Sequence, residues 1–79
     1  MTAEPRAEFG GYVGATLEYV REHGPLTTNR RTTVTGQIAR DVGVSVERAW
    51  QILTLLGRAG VVRLELAGQK RIVRAEAAQ

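Results

Sequence analysis

The sequence predicts an α+β fold, a small domain of three helices with one short strand and a C-terminal β-hairpin. Apolar residues recur at helical spacing near the start of the chain and again in its middle, and from Val61 onward the period changes to two. Glycines stand at the joints between these runs, where a chain has to turn. With 79 residues and 43% hydrophobic content there is room for one domain and one modest core. A single domain over 1–79 is expected, with 1–7 and 75–79 as flexible ends.

Helix 1 is expected from about Glu8 to His23, because Phe9, Val13, Thr16, Leu17 and Val20 fall on one side of a helix. Gly24-Pro25 would stop it, with Gly24 in the left-handed position and His23 complementing the helix dipole. The polar run 25–34 reads as a loop followed by a short edge strand at Thr32-Thr33-Val34, where β-branched residues cluster. Thr35 is the expected cap of a second helix, Gly36 to Val42, which would bury Ile38, Ala39 and Val42 and leave Arg40 and Asp41 in water. Gly43 ends that helix.

Ser45 then caps a third helix, Val46 to Ala59, closed by Gly60. Its inner face is Ala49, Ile52, Leu53 and Leu56, and its outer face is Glu47, Gln51, Thr54 and Arg58. Trp50 and Leu55 would take opposite flanks. Gly57, inside the helix, costs up to about 1 kcal/mol relative to alanine, which points to a close neighbour or a bend. Val62, Leu64 and Leu66 then alternate with Arg63 and Glu65, Gly68-Gln69 turns the chain, and Lys70 to Arg74 returns around Ile72 and Val73. The end from Ala75 to Gln79 is expected to fray.

Composition narrows the function. There is no cysteine, so disulfides, thiolate metal sites and cysteine nucleophiles drop out. One histidine, one serine and one aspartate leave almost nothing from which to build a catalytic triad, and no phosphate loop or histidine cluster is present. Neither an enzyme nor a cofactor or metal is expected. The longest uncharged stretches, Phe9 to Leu17 and Ala49 to Gly57, have about nine residues each, roughly half of a membrane span. The first residues carry acid where a secretory leader carries base, so a cytoplasmic location without membrane contact is the expectation.

The net charge of +3 is unevenly spread: residues 1–23 have a net of −2 and residues 24–74 a net of +6. Ten of the eleven basic residues are arginine, whose planar fork bonds phosphate and guanine edges in bidentate fashion. Nucleic acid is the partner that such a balance favours; an arginine-rich source composition is the alternative.

The run Val34 to Val62 resembles the helix-turn-helix of winged-helix transcriptional regulators. The matching positions are Ile38-Ala39, the turn Gly43-Val44-Ser45, then Ala49, Leu53 and Leu56, and Ala59-Gly60-Val61-Val62 leading into the wing. With the hairpin to Arg74, the resemblance covers about 40 of the 79 residues. It implies a small winged helix in the order α1-β1-α2-α3-β2-β3, whose third helix enters the major groove of double-stranded DNA. Carried over position by position, Ser45, Val46, Glu47, Trp50, Gln51 and Thr54 would face bases, with Gln51 pairing adenine and Glu47 accepting from cytosine. Arg30, Arg31, Arg58, Arg63, Lys70 and Arg71 would hold phosphates. The function implied is non-catalytic duplex-DNA binding, as a transcriptional regulator or architectural protein, with no separate effector domain.

The chain departs from that pattern at Val46, Glu47, Trp50 and Leu55, where the family is more often polar or basic. An apolar flank is also what a protein contact needs, so a winged-helix interaction module docking a protein partner through Trp50, Leu55 and Val46 is the alternative. An RNA-binding use of the scaffold lacks an aromatic stacking platform. A second stripe on helix 1, Tyr12, Ala15 and Tyr19, lies beside the core face. With Gly10, Gly11 and Gly14 near it, this stripe predicts a homodimer through helix 1.

Overall fold

The computed structural model describes the backbone of residues 4–78 and the side chains of residues 11–78. The chain runs α1 (Glu4–His23), β1 (Leu26–Thr27), α2 (Val34–Ile38), α3 (Val46–Arg58), β2 (Val62–Ala67) and β3 (Arg71–Ala77). This is the α+β order expected, with the hairpin after the helices. α2 continues through a π-helical turn, Ala39–Gly43, in which the Val44 N–H reaches back to the Ala39 carbonyl. The three strands form one antiparallel sheet in the order β1-β3-β2. Leu26, Ala75 and Leu64 lie side by side across it, on the face that the helices cover. Arg63, Glu65, Arg74 and Glu76 share the opposite face, giving the one-sided burial of an antiparallel sheet.

Each helix contributes the stripe that its spacing requires. Thr16 and Val20 of α1 are buried, with Val13 and Leu17 packed against them; Phe9 lies outside the described side chains. Val34 and Ile38 of α2 and Ala49, Ile52, Leu53 and Leu56 of α3 complete the helical part of the core. Burying each of the larger of these side chains stabilises the fold by about 1.5–3 kcal/mol.

α1 begins at Glu4, ahead of the expected Glu8. It ends at His23 as expected, but Gly24 is not left-handed: positive φ occurs at Gly43, Gly60 and Gly68 among the described residues. Gly24 is required because its N–H donates to the Val20 carbonyl at 2.8 Å, and a Cβ would run into that same oxygen. The Gly24-Pro25 peptide is cis.

The short strand lies at Leu26–Thr27 and not at Thr32–Val34. Thr33, not Thr35, caps α2, its hydroxyl accepting from the Gly36 N–H at 2.9 Å, and Val34 is the first helical residue. The orphan donors of a helix start outweigh the modest β-propensity of a Thr-Thr-Val run. Thr28 joins the two elements, donating its hydroxyl to the Ile72 carbonyl at 2.9 Å and accepting from the Val34 N–H at 3.0 Å.

The expected fraying from Ala75 is also overturned. β3 runs to Ala77, Ala75 is fully buried, and the Ala78 N–H still donates to the Val61 carbonyl at 3.0 Å. The cause is a bulge: Glu65 pairs with Arg74 but Leu66 pairs with Ile72, so Val73 is an extra residue in β3. Buried Ile72 and Ala75 are therefore three apart, and the two-residue period that marks a strand is broken. Residues 1–3 and 79 lie outside the described residues.

Candidate functional site

α3 is fixed at both ends by local chemistry. The Ser45 hydroxyl accepts from the Arg48 N–H at 3.0 Å, and Gly60, at φ 82°, lets the chain leave after Arg58. With Ala49, Ile52, Leu53 and Leu56 turned inward, Glu47, Gln51 and Arg58 are exposed and Thr54 is half-buried. The Thr54 hydroxyl donates to the Gln51 carbonyl at 2.9 Å, which leaves it an acceptor for a ligand.

Two contacts set the hairpin against this helix. Trp50 Nε1 donates to the Lys70 carbonyl at 3.0 Å, and the Gly57 backbone lies against the Leu64 side chain. The absence of a Cβ at Gly57 is what allows that approach. It accounts for a glycine inside a helix, since a Cβ there would sit 3.0 Å from Leu64 Cδ1.

Between α3 and the hairpin lies an open cleft of about 1130 Å³. Gln51, Thr54, Leu55 and Arg58 form its helical wall, and β2 from Val62 to Leu66 forms the other, with Arg74 and Glu76 behind. Leu55 and Leu66 are 44% and 46% exposed and make its apolar patches. Trp50 and Leu55, expected on opposite flanks, both line it, because the cleft curls over the outer face of the helix. Glu76 lies 3.0 Å from Arg74 and 3.8 Å from Arg63, so it partly neutralises two of the three arginines there. Arg58 is in no ion pair among the described residues.

The remaining expected residues are spread around this cleft. Lys70 and Arg71 are exposed at the hairpin turn and the start of β3. Arg30 and Arg31 are exposed on the loop before α2, which Asn29 shapes by accepting from the Arg31 and Thr32 N–H groups at 2.8 and 3.1 Å. They do not line the cleft. Ser45, Val46 and Glu47 are exposed at the start of α3, Val46 at 54%. The Trp50 ring packs against the core and its N–H is taken by Lys70, so it offers a ligand no donor. Among the described residues no group of three or more His, Asp or Glu is placed to hold a metal ion, and no helix is long and apolar enough to cross a membrane.

The stripe on α1 is divided. Tyr12 and Ala15 are exposed, whereas Tyr19 packs against the core and donates its hydroxyl to Asp41 Oδ2 across the π-helical turn. Arg40 donates to the same carboxylate at 2.9 and 3.3 Å, and with Tyr19 it lowers the Asp41 pKa to about 2. The Tyr19 hydroxyl is correspondingly raised, chiefly by its bond to Asp41. Sequence reasoning missed this cluster, because no local pattern connects residues 22 apart. Arg74 and Glu76 were missed as cleft residues for the reason given by the bulge. Compared with family models, curated proteins and solved structures, the chain matches none.

Proposed function

We propose that this chain binds double-stranded DNA without catalysis, in the cytoplasm, as a transcriptional regulator or architectural protein of winged-helix type. The observation that carries the reading is the joint cleft: the polar face of α3 and the arginine-bearing hairpin stand on its two sides, both open to solvent. A helix for the major groove beside a basic hairpin for the backbone is the arrangement that such docking uses. Gln51 and Glu47 are the base readers in this reading, one pairing adenine and the other accepting from cytosine. Arg58, Lys70 and Arg71, none of them in an ion pair among the described residues, hold phosphates, joined by Arg63 and by Arg30 and Arg31.

Titration of random duplex DNA at several salt concentrations tests this. The six basic contacts predict a log-log slope on the order of −4 to −5. Gln51→Ala should relax preference at one base position by about 1–3 kcal/mol, while Arg71→Ala weakens all duplexes alike. A flat salt dependence, or no binding at low salt, overturns the reading.

Exposed Val46, Leu55 and Leu66 favour a second reading, a module that docks a protein partner on the surface of α3. It predicts that Leu55→Ser abolishes the partner contact while Gln51→Ala and Arg71→Ala change nothing.

A further inference from the structure

We propose that β2 is a self-association edge, pairing antiparallel with β2 of a second copy of this chain about a two-fold axis at Leu64. β2 stands at the edge of the sheet, with β3 on one side only. Because the Ala78 N–H donates to the Val61 carbonyl, Val61, Arg63 and Glu65 direct their backbone groups toward β3. Val62, Leu64 and Leu66 then direct theirs to the open side. That side faces space: five consecutive residues, Val62 to Leu66, with side chains from both faces of the strand, line the cleft, so its open edge borders the cleft together with the Arg63 and Glu65 face. The bulge belongs to β3, which leaves β2 regular along this edge.

The occupant follows from the strand itself. Read antiparallel about Leu64, the stretch Val62-Arg63-Leu64-Glu65-Leu66 is its own complement. Leu64 meets Leu64, Val62 meets Leu66, and Arg63 meets Glu65 twice, once on each side of the axis. Opposite charges face each other on one surface of the new ladder and apolar side chains on the other, the pairing that stabilises cross-strand neighbours. Moving the axis by one residue sets Glu65 against Glu65 or Arg63 against Arg63, so charge selects the register. Leu66, one of the exposed apolar residues, stands on this strand and meets Val62 of the second copy. The result is one six-stranded sheet, and an edge that would otherwise remain unpaired is closed by symmetry.

Sedimentation of the full chain across the micromolar range, without DNA, tests the pairing independently of any DNA-binding activity. A concentration-dependent dimer is expected. Arg63→Glu and Glu65→Arg should each weaken it by about ten-fold or more, since each sets like charges opposite one another, and the double variant should restore it. These substitutions also alter pairs within the hairpin, so each is checked for an unchanged far-ultraviolet spectrum.

Cross-linking supplies a second readout, because the chain has no cysteine of its own. Leu64→Cys places two thiols on the axis, at a Cα separation of about 5.5 Å that a disulfide can span. It should oxidise to a covalent dimer, and Ala15→Cys on α1 should not. A monomer at every concentration, a dimer that both charge variants leave intact, or cross-linking at Ala15→Cys instead of Leu64→Cys overturns the proposal.

Discussion

Trp50 Nε1 donates to the main-chain carbonyl of Lys70, so one side chain of α3 holds the turn of the hairpin. With Leu64 packed against Gly57, this bond braces the hairpin against the helix. Trp50→Phe keeps most of the ring and removes the donor. It should cost about 1 kcal/mol by denaturant titration, and amide exchange should quicken at the hairpin turn more than in α1.

At Gly57 two effects oppose each other. Alanine gains up to about 1 kcal/mol of helix propensity, but its Cβ would meet Leu64 Cδ1 at 3.0 Å. Leu64 is half-buried and the atom in question is the end of its side chain, so it can swing aside. Gly57→Ala should therefore be neutral or slightly stabilising, by less than about 1 kcal/mol, whereas Gly57→Val should destabilise by about 1–3 kcal/mol and displace the hairpin. Thermal melts of the two variants separate these outcomes.

Thr16 is fully buried in α1, and its hydroxyl finds no hydrogen-bond partner among the described residues. Thr16→Val keeps the branched shape and removes the unsatisfied group. Stability should rise by about 1 kcal/mol, which in a domain of this size raises Tm by about 4–8 °C. A fall in Tm would mean that the hydroxyl is satisfied in solution.

The Asp41 carboxyl is held down to about 2, by Arg40 first and Tyr19 second. A carboxyl lowered on folding contributes stability above its unfolded value, and that contribution fades as pH falls toward 2. Tyr19 is raised above 10.0, so its contribution is complete below that value and fades as pH climbs past it. The clasp between α1 and the π-helical turn should thus hold from about pH 4 to pH 10. In Tyr19→Phe, an NMR titration should find the Asp41 pKa above 2 but still under 3.8, because Arg40 remains.

Features decided by neighbours in the chain were legible in the sequence. Ser45 as a cap, Gly43 and Gly60 as stops, and the inner face of α3 all follow from contacts within one or two turns. Features decided by distant partners were not. Leu26–Thr27 is a strand because Ala75 and Arg74 lie beside it, and neither residue of so short a segment announces that pairing. Thr32, Thr33 and Thr35 are equivalent as candidate caps until the position of Thr28 fixes where the helix starts. Within the candidate site, Gln51 and Arg58 could be placed from helical geometry, while Arg74 and Glu76 depended on the bulge and Tyr19 on a carboxylate contributed by another element.

The sheet order β1-β3-β2 also bears on how the chain is made. β1 and β2 emerge from the ribosome before β3, yet neither pairs with the other. No part of the sheet can therefore assemble from residues synthesised before Arg71. Until then Leu26 and Val62 lack their partners in β3, Ala75 and Ala77. When β3 arrives it gives both strands their partner at once and makes sheet formation a single late step.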